Sequence, residues 1–374
     1  LDAAEARIQE LEQKMGGAAP AQASAAPAAT PAETHEPAPE PAAPPANDEH
    51  AHMSVGGGGP SLSLRGFADF NLGFGRDANS LIFPLGATPH TSFQQGEFDL
   101  FFSSKLSRTL SFVSEVVIGS DASNEWGVDI ERAQLTYKPS PYFEISGGRY
   151  HTSIGYYNTA YHHGTWFQTA TGRPFMYFYE DSGGLLPIHG VGFTMGGDVP
   201  RTEKLGLHWI AELSNGRPNA TDAAPVQNFL SDKTGKAFNL AAYIRPQMVP
   251  GLQVGGSYYR DHITPTGLPS RVTQNISSLY AVFIESNWEF LNEAVLLDNH
   301  MDATGKSYRT PLMYTQLSHK MGQYRPYFRY QYVNVPGSDP LNQFTGRYQG
   351  PSVGLRMDFS AYVALKLQIG RAHV

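Results

Sequence analysis

From Ser61 onward the sequence alternates apolar and polar residues with a period of two, and this feature constrains the fold more than any other. Successive side chains of a β-strand point to opposite faces, so each alternating segment has one apolar and one polar face. In the first segment Leu62 and Leu64 fall on one face, while Arg65 falls on the other. The pattern recurs in about fifteen segments up to Gln368 and predicts an all-β chain.

The connectors between these segments distinguish a membrane barrel from a soluble sandwich. Each segment is long enough, at roughly 9–11 residues, to cross a bilayer as a tilted strand. Bacterial barrels place short turns at one end and longer loops at the other, whereas a sandwich has no reason to sort its loops. The sequence therefore predicts a transmembrane antiparallel β-barrel. Short turns are expected at residues 107–110, 138–141, 199–204, 246–251, 289–292, 320–323 and 360–361, and longer connectors at 77–91, 156–187, 216–235, 262–272 and 335–346.

The number of strands is odd, although single-chain bacterial barrels have an even number. Residues 369–374 match the translation of a common sequencing adapter. We therefore expect that the natural chain ends differently and that its last strand is missing here. A complete barrel of about sixteen strands is too wide for side chains to fill, so its lumen holds water. These considerations predict a channel.

Two segments precede the barrel. Leu1, Ala4, Ile8, Leu11 and Met15 follow the 3, 4 spacing of a coiled-coil seam, which predicts a coiled-coil segment over residues 1–15. An oligomeric stalk is favoured over a solvated helix beside the barrel. Residues 16–60 are rich in Ala and Pro and predict a disordered linker. The barrel domain is expected over residues 61–374, with the N-terminal segment in the periplasm.

The strand end from Gly147 to Tyr156 resembles the GRF-x-x-P-x-G strand end of phosphate-selective porins of the O/P type, with Ser153 where proline is usual. A coiled coil before a sixteen-stranded barrel is also similar to that family's layout. The resemblance implies a homotrimeric, passive, solute-conducting pore of the Gram-negative outer membrane. Its surroundings would be the lipid bilayer and lipopolysaccharide. In porins the third outer loop narrows the pore.

The connector over residues 156–187 is the candidate for that loop. It is too aromatic to lie exposed in water, so we expect it to fold against the barrel wall or into the lumen. There, basic groups facing acidic groups would set a transverse field that filters solutes. The alternative is that the aromatic residues pack a plug or an extracellular lid. The predicted constriction residues are Tyr161, His162, His163, Trp166, Arg173, Tyr177, Glu180 and Asp181.

Charged residues on the polar faces of the strands are expected to line the lumen. Both signs occur, and the chain has few of the lysines that a basic ladder for phosphate would need. The sequence therefore favours a general or weakly selective pore. The predicted lumen charges are Arg65, Arg132, Arg245, Arg325, Arg329, Arg356, Glu97 and Asp99.

Several other function classes have little support. A net charge of −7 without a basic stretch argues against nucleic-acid binding. The sequence has no G-x-S-x-G, H-E-x-x-H or P-loop motif, so no enzymatic activity is predicted. It contains no cysteine, and His151, His162 and His163 have no ligand-like helical spacing with another His or a carboxylate. We therefore expect neither a cofactor nor a metal site.

Two alternatives to a pore remain. In the first, the barrel is a structural anchor, and residues 1–60 tether the outer membrane to the cell wall. In the second, the barrel is a sheath for a partner such as a multihaem cytochrome. The chain itself has no C-x-x-C-H haem motif, so the electron carrier would be another protein.

Overall fold

The computed structural model describes residues 62–73, 91–120, 125–162, 164–179, 184–219, 230–268, 270–342 and 345–370. The predicted coiled coil over residues 1–15 and the predicted linker over 16–60 lie outside the described residues. So do His163, Glu180 and Asp181. Among the described residues, no helix is both long enough and apolar enough to cross a membrane.

The described residues form one fifteen-stranded sheet in which each strand pairs with the next along the chain. The pairings are antiparallel, as in an up-and-down meander. The predicted all-β class and strand number are therefore confirmed. The strands are β1 Leu62–Gly73, β2 Ser92–Lys105, β3 Leu110–Ser120, β4 Trp126–Ser140, β5 Phe143–His151, β6 His189–Asp198, β7 Leu207–Ser214, β8 Ala237–Ile244, β9 Leu252–Ile263, β10 Val272–Glu285, β11 Trp288–Met301, β12 Lys306–His319, β13 Tyr324–Asn334, β14 Arg347–Asp358 and β15 Ala364–Gly370.

Connectors alternate between the two ends of the sheet. One end carries connectors of two to eight residues, and the other carries the connector between β5 and β6 and the other long connectors. Two connectors at that second end, 121–125 and 302–305, are as short as the turns opposite. Loop length therefore separates the two ends less cleanly than the sequence suggested.

The turn predicted at residues 289–292 is wrong, because this segment lies inside β11. Glu285 pairs with Trp288, so residues 286–287 form a two-residue hairpin turn. Ser286 takes a positive φ of 55°, as such tight turns require. Glu289 is instead a buried side chain on the inner face of the strand.

The outer face of the sheet is apolar and the inner face carries polar groups, which reverses the arrangement of a soluble protein. In β11, Phe290 and Leu296 are exposed, while Glu289, Glu293 and Asn299 are buried. Exposed large hydrophobic side chains occur on the same face of strands throughout the sheet. A lipid bilayer is the environment in which this arrangement is stable.

The connector between β5 and β6 shows that the sheet curves back on itself. The ring of Phe167 in this connector lies 5.9 Å from the ring of Phe67 on β1. One residue later, the backbone oxygen of Gln168 accepts a hydrogen bond from Lys366 Nζ on β15, at 2.6 Å. Since β1 and β15 are the two ends of the sheet, neighbouring residues of one segment reach both ends only if the sheet forms a barrel.

Gly148 on β5 illustrates how closely adjacent strands approach one another. Its φ is +134°, and a Cβ at this position would lie 2.0 Å from the backbone oxygen of Ala133. We expect Gly148→Ala to lower the free energy of unfolding by about 2 kcal/mol or more, because both the backbone conformation and the space exclude a side chain. Gly119→Ala on β3 is the control, since a Cβ there meets nothing within 4 Å. Urea titration of the refolded barrel measures the difference, and equal effects of the two substitutions would contradict this account.

Candidate functional site

The connector of residues 152–188, hereafter loop 3, is the third connector at the end of the barrel that carries the long loops. Its described residues include a short helix, α1 Tyr157–Ala160, and a 3₁₀ turn at Phe175–Tyr177. Its aromatic and aliphatic residues form one buried cluster with inward-facing residues of β9–β14. The wall members of this cluster are Tyr259, Ile276, Tyr280, Val282, Leu291, Val295, Leu297, Leu312, Tyr314, Val333 and Tyr348.

The stem of loop 3 is held by backbone and amide hydrogen bonds. Thr152 N donates to Ile188 O at 3.0 Å, which closes the loop where it leaves the barrel. The buried Asn158 amide on α1 donates to both of these stem residues, at 2.9 Å to Thr152 O and 2.8 Å to Ile188 O. Gly155 takes φ +77°, and a Cβ there would collide with the Tyr177 hydroxyl and the Glu293 carboxylate. The tight approach of the stem to the wall therefore requires glycine at this position.

A carboxylate on β11, that of Glu293, joins loop 3 to the opposite wall. Its two oxygens accept hydrogen bonds from the backbone N–H groups of Tyr156 and Tyr157, at 2.6 and 3.0 Å. They also accept from the hydroxyls of Tyr177 and Tyr314, each at 2.6 Å. Burial and the adjacent Glu293 carboxylate hold the pKa of Tyr177 well above its usual value, so its hydroxyl remains a donor. Four donors satisfy the lone pairs of a buried carboxylate, which would otherwise be costly.

Cations on β13–β15 form a second set of anchors along loop 3. Arg329 Nη1 donates to Gly172 O at 2.7 Å, and Arg356 Nη1 donates to Trp166 O at 2.7 Å. Arg325 Nη1 lies 3.3 Å from Thr169 Oγ1. These three arginines were predicted as lumen charges, and they do lie on the inner face. Their guanidinium groups are used to bind loop 3 rather than presented to open water.

The other predicted lumen charges have varied surroundings. Arg65 and Arg245 are exposed, whereas Arg132 is buried, with Nη2 3.5 Å from Glu115 Oε2. Asp99 is fully buried. Glu97 Oε1 lies 3.4 Å from the Tyr179 hydroxyl of loop 3.

The predicted constriction residues that the structure describes lie mainly within the packed part of loop 3. Tyr161, His162 and Tyr177 are 5%, 4% and 0% exposed. Trp166 is half-buried, with the Arg356 guanidinium 5.3 Å from the ring centre. Arg173 stacks 3.7 Å over the ring of Tyr179. Its three guanidinium nitrogens are buried and make no hydrogen bond within the described part of the chain.

Loop 3 leaves open space on one side of the barrel. A cavity with an empty volume of about 980 Å³, open to solvent, lies between loop 3 and the wall of β4–β10. Its lining includes groups of both signs and few apolar side chains. The charged and titratable lining residues are Arg132, Arg245, His151, His208, Glu144 and Glu212.

A histidine cluster at the base of loop 3 was not predicted from the sequence. The ligand atoms of His151, His162 and His189 all lie within 4.8 Å of one another, beside the carboxylate of Glu131. Sequence spacing suggested only His151, His162 and His163 as a weak grouping. His189 is directly paired with His151 across β5 and β6, and only knowledge of this register could have identified it.

Comparison with solved structures identifies the architecture. The chain is similar to an anion-selective porin from Comamonas acidovorans, with TM-score 0.57 and 13% identity over 84% of this chain and 89% of that one. It is also similar to the outer-membrane channel DcaP of Acinetobacter baumannii, with TM-score 0.56 and 12% identity over 85% and 92% of the two chains. The fold is that of an outer-membrane porin.

A third similar structure is the OmpF porin of Salmonella typhi in complex with daunomycin, with TM-score 0.51 and 13% identity over 86% and 100% of the two chains. No protein-family model and no curated protein matches the sequence. The barrel predicted from the strand pattern and the general porin fold implied by the resemblance are therefore confirmed. The resemblance to the phosphate-selective O/P type stays a prediction.

Glu293 offers a direct test of how loop 3 is held in this porin fold. We expect Glu293→Gln to lower the free energy of unfolding by roughly 2–4 kcal/mol, because the amide keeps the shape but cannot accept all four hydrogen bonds. Glu144→Gln is the control. Glu144 is more exposed than Glu293, and within the described residues its carboxylate forms an ion pair with Lys138 at 3.0 Å. Thermal melting of both variants in the same detergent distinguishes them. An unchanged melting temperature for Glu293→Gln would show that this carboxylate is not a main anchor.

Proposed function

We propose that the protein is a passive pore of the bacterial outer membrane for ions and small hydrophilic solutes, narrowed by loop 3. The observation that carries the proposal is the asymmetric position of loop 3 inside the barrel. It is anchored to the wall of β11–β15 through Glu293 and a row of cations, while the space along β4–β10 stays open to solvent. An anchored loop beside an open passage restricts the size of solutes without closing the barrel.

The charges beside the open passage support weak selectivity. Arg132 and Arg245 lie on the same lining as Glu144 and Glu212, so neither sign dominates. Some of these charges already have partners in the barrel, such as the pair of Glu144 with Lys138 at 3.0 Å. Mixed and partly neutralised charge produces a small preference between cations and anions rather than a binding site for one ion.

The predicted setting of the pore belongs to the same proposal. We infer a homotrimer in contact with lipid and lipopolysaccharide through the apolar outer face. The segment of residues 1–60 would lie in the periplasm and is available for cell-wall contact. The predicted absence of enzymatic activity is retained, because the proposed function requires only an open passage.

Of the two alternatives, a sheath for a partner protein needs an unobstructed lumen. Loop 3 occupies the interior and contacts strands from β1 to β15, which favours a pore over a sheath. Tethering is compatible with a pore. A chain lacking residues 1–60 separates these functions, because a pore retains its conductance while a tether loses its attachment to the cell wall.

Single-channel recording in a planar bilayer tests the pore directly. We expect the refolded protein to produce stable conductance steps with weak ion preference in a salt gradient. Thr159 lines the passage beside loop 3, and the chain has no native cysteine to interfere with thiol chemistry. Modifying Thr159→Cys with a trimethylammonium-ethyl thiosulfonate is therefore expected to lower the conductance by roughly a third or more, because the added group obstructs the passage.

Leu64→Cys is the matched control for this modification, because Leu64 is on the outer face and 55% exposed there. Its modification should leave the conductance unchanged. A sealed bilayer with well-folded protein would overturn the pore proposal. If modification of the Thr159→Cys variant left the conductance unchanged, the proposed path beside loop 3 would instead be overturned.

A further inference from the structure

Four potential metal ligands from four different segments meet at the base of loop 3. Glu131 is on β4, His151 is the last residue of β5, His162 follows α1, and His189 is the first residue of β6. His189 Nε2 lies 2.9 Å from His162 Nε2 and 2.5 Å from Glu131 Oε2. His162 Nε2 lies 3.4 Å from the same carboxylate oxygen. Three potential metal-ligand atoms therefore lie around one point.

The hydrogen bonds around His162 determine which of its nitrogens can bind a metal. The Asn158 amide nitrogen donates to the backbone oxygens of Thr152 and Ile188, which fixes the orientation of the amide. Its Oδ1 therefore faces His162 Nδ1, at 3.1 Å, and can only accept a hydrogen bond. In the neutral ring Nδ1 carries the proton, so the lone pair of His162 is on Nε2 and points toward His189 and Glu131. His189 Nε2 then carries the hydrogen between the two rings, and a metal ion would displace that proton. Metal-binding histidines are commonly oriented by such a second hydrogen bond.

Burial gives a second reason to expect a ligand here. The side chains of Glu131, His151, His162 and His189 are 3–6% exposed. His151 Nε2 is buried and makes no hydrogen bond within the described residues, although Glu115 Oε2 lies 3.5 Å from it. A buried polar atom without a hydrogen bond destabilises a fold unless another group interacts with it. The contact with Glu115 is longer than a normal hydrogen bond, and a metal ion that draws in His151 would provide a stronger interaction.

We propose that this cluster binds a divalent transition-metal ion of the zinc type, through Nε2 of His162 and His189 and a carboxylate oxygen of Glu131. Three imidazoles and one carboxylate are a donor set that suits four-coordinate zinc. Metal–ligand bonds near 2.0 Å place tetrahedral donors roughly 3.4 Å apart, so donor separations of 2.5–3.4 Å need only small rotations. His151 is stacked on His162 at 3.5 Å between ring centres and becomes the fourth ligand by tilting.

Nearby charges limit the expected affinity. Arg149 Nη2 lies 3.8 Å from Glu131 Oε2, and Arg132 Nη2 lies 3.5 Å from Glu115 Oε2. Two guanidinium groups therefore accompany the two carboxylates, and the local charge is near zero before a cation binds. The imidazole lone pairs, rather than net negative charge, must supply most of the binding. This favours zinc over calcium or magnesium, which prefer oxygen ligands.

A bound ion would join loop 3 to the strands on the other side of its stem. His162 belongs to loop 3, whereas Glu131 and His189 belong to the wall of β4 and β6. The Glu293 anchor holds the same loop to β11. A metal at the cluster would restrain the base of loop 3 on the side that Glu293 does not reach. The binding itself does not depend on the proposed pore function.

The test uses the refolded full-length chain, with His35, His50 and His52 replaced by glutamine to remove adventitious ligands from the N-terminal segment. We expect one zinc ion per chain by equilibrium dialysis and elemental analysis. Cobalt substitution should produce the intense visible absorption of a tetrahedral site. His162→Gln combined with His189→Gln should abolish this absorption and weaken zinc binding by at least about tenfold.

His208→Gln is the control, because His208 is also buried in the barrel, but its Nδ1 pairs with Asp198 at 2.9 Å away from the cluster. It should bind zinc as the parent does. If the double variant does not refold, Glu131→Gln preserves the side-chain volume and should still weaken zinc binding. A folded parent that binds no zinc at millimolar concentration, or a folded double variant that binds it unchanged, overturns the proposal.

Discussion

Every backbone N–H and C=O at the depth of a bilayer must find its partner within the protein, because lipid offers none. In the part of the chain that the structure describes, β2 to β14 meet this requirement by hydrogen bonding to both neighbours in chain order, and β1 and β15 each pair with one neighbour. Along each paired strand, successive side chains then point alternately toward the lipid and toward the lumen. The apolar outer face and the polar inner face both follow from that alternation. Features that distinguish this porin fold from others must therefore come from the inner face and the connectors.

Loop 3 divides the inner face into two unlike halves. On β10–β13 the inward positions include Ile276, Leu291, Val295 and Leu312, which are buried against the aromatic residues of the loop. Along β4–β10 the inner face instead borders a solvent-open cavity lined by charges. The apolar contacts provide most of the favourable burial, and Glu293 with the arginines sets the position of the loop. An interior filled on one side only accounts for both a stable loop and an open passage.

The base of loop 3 combines two kinds of restraint within a few residues. Asn158 closes the stem through backbone oxygens, and its own oxygen orients His162 toward Glu131 and His189. The same amide therefore links the geometry of the loop to the chemistry of the histidine cluster. Ligands drawn from β4, β5, β6 and loop 3 can come together only when all three strands are in register. Such a site reports on the folded state of this part of the barrel.

The sequence by itself determined the strand number, the face of each strand and the third connector as the inward loop candidate, because period-two alternation and connector length are local properties. It misplaced one turn, since residues 289–292 lie inside β11, where Glu289 is an inward side chain rather than a turn residue. It assigned Arg329 and Arg356 to the inner face but could not show that they bind loop 3. Only the tertiary structure decided which inward side chains meet across the lumen. Contacts such as Lys366 with Gln168, or His162 with His189, depend on curvature and register that no local pattern encodes.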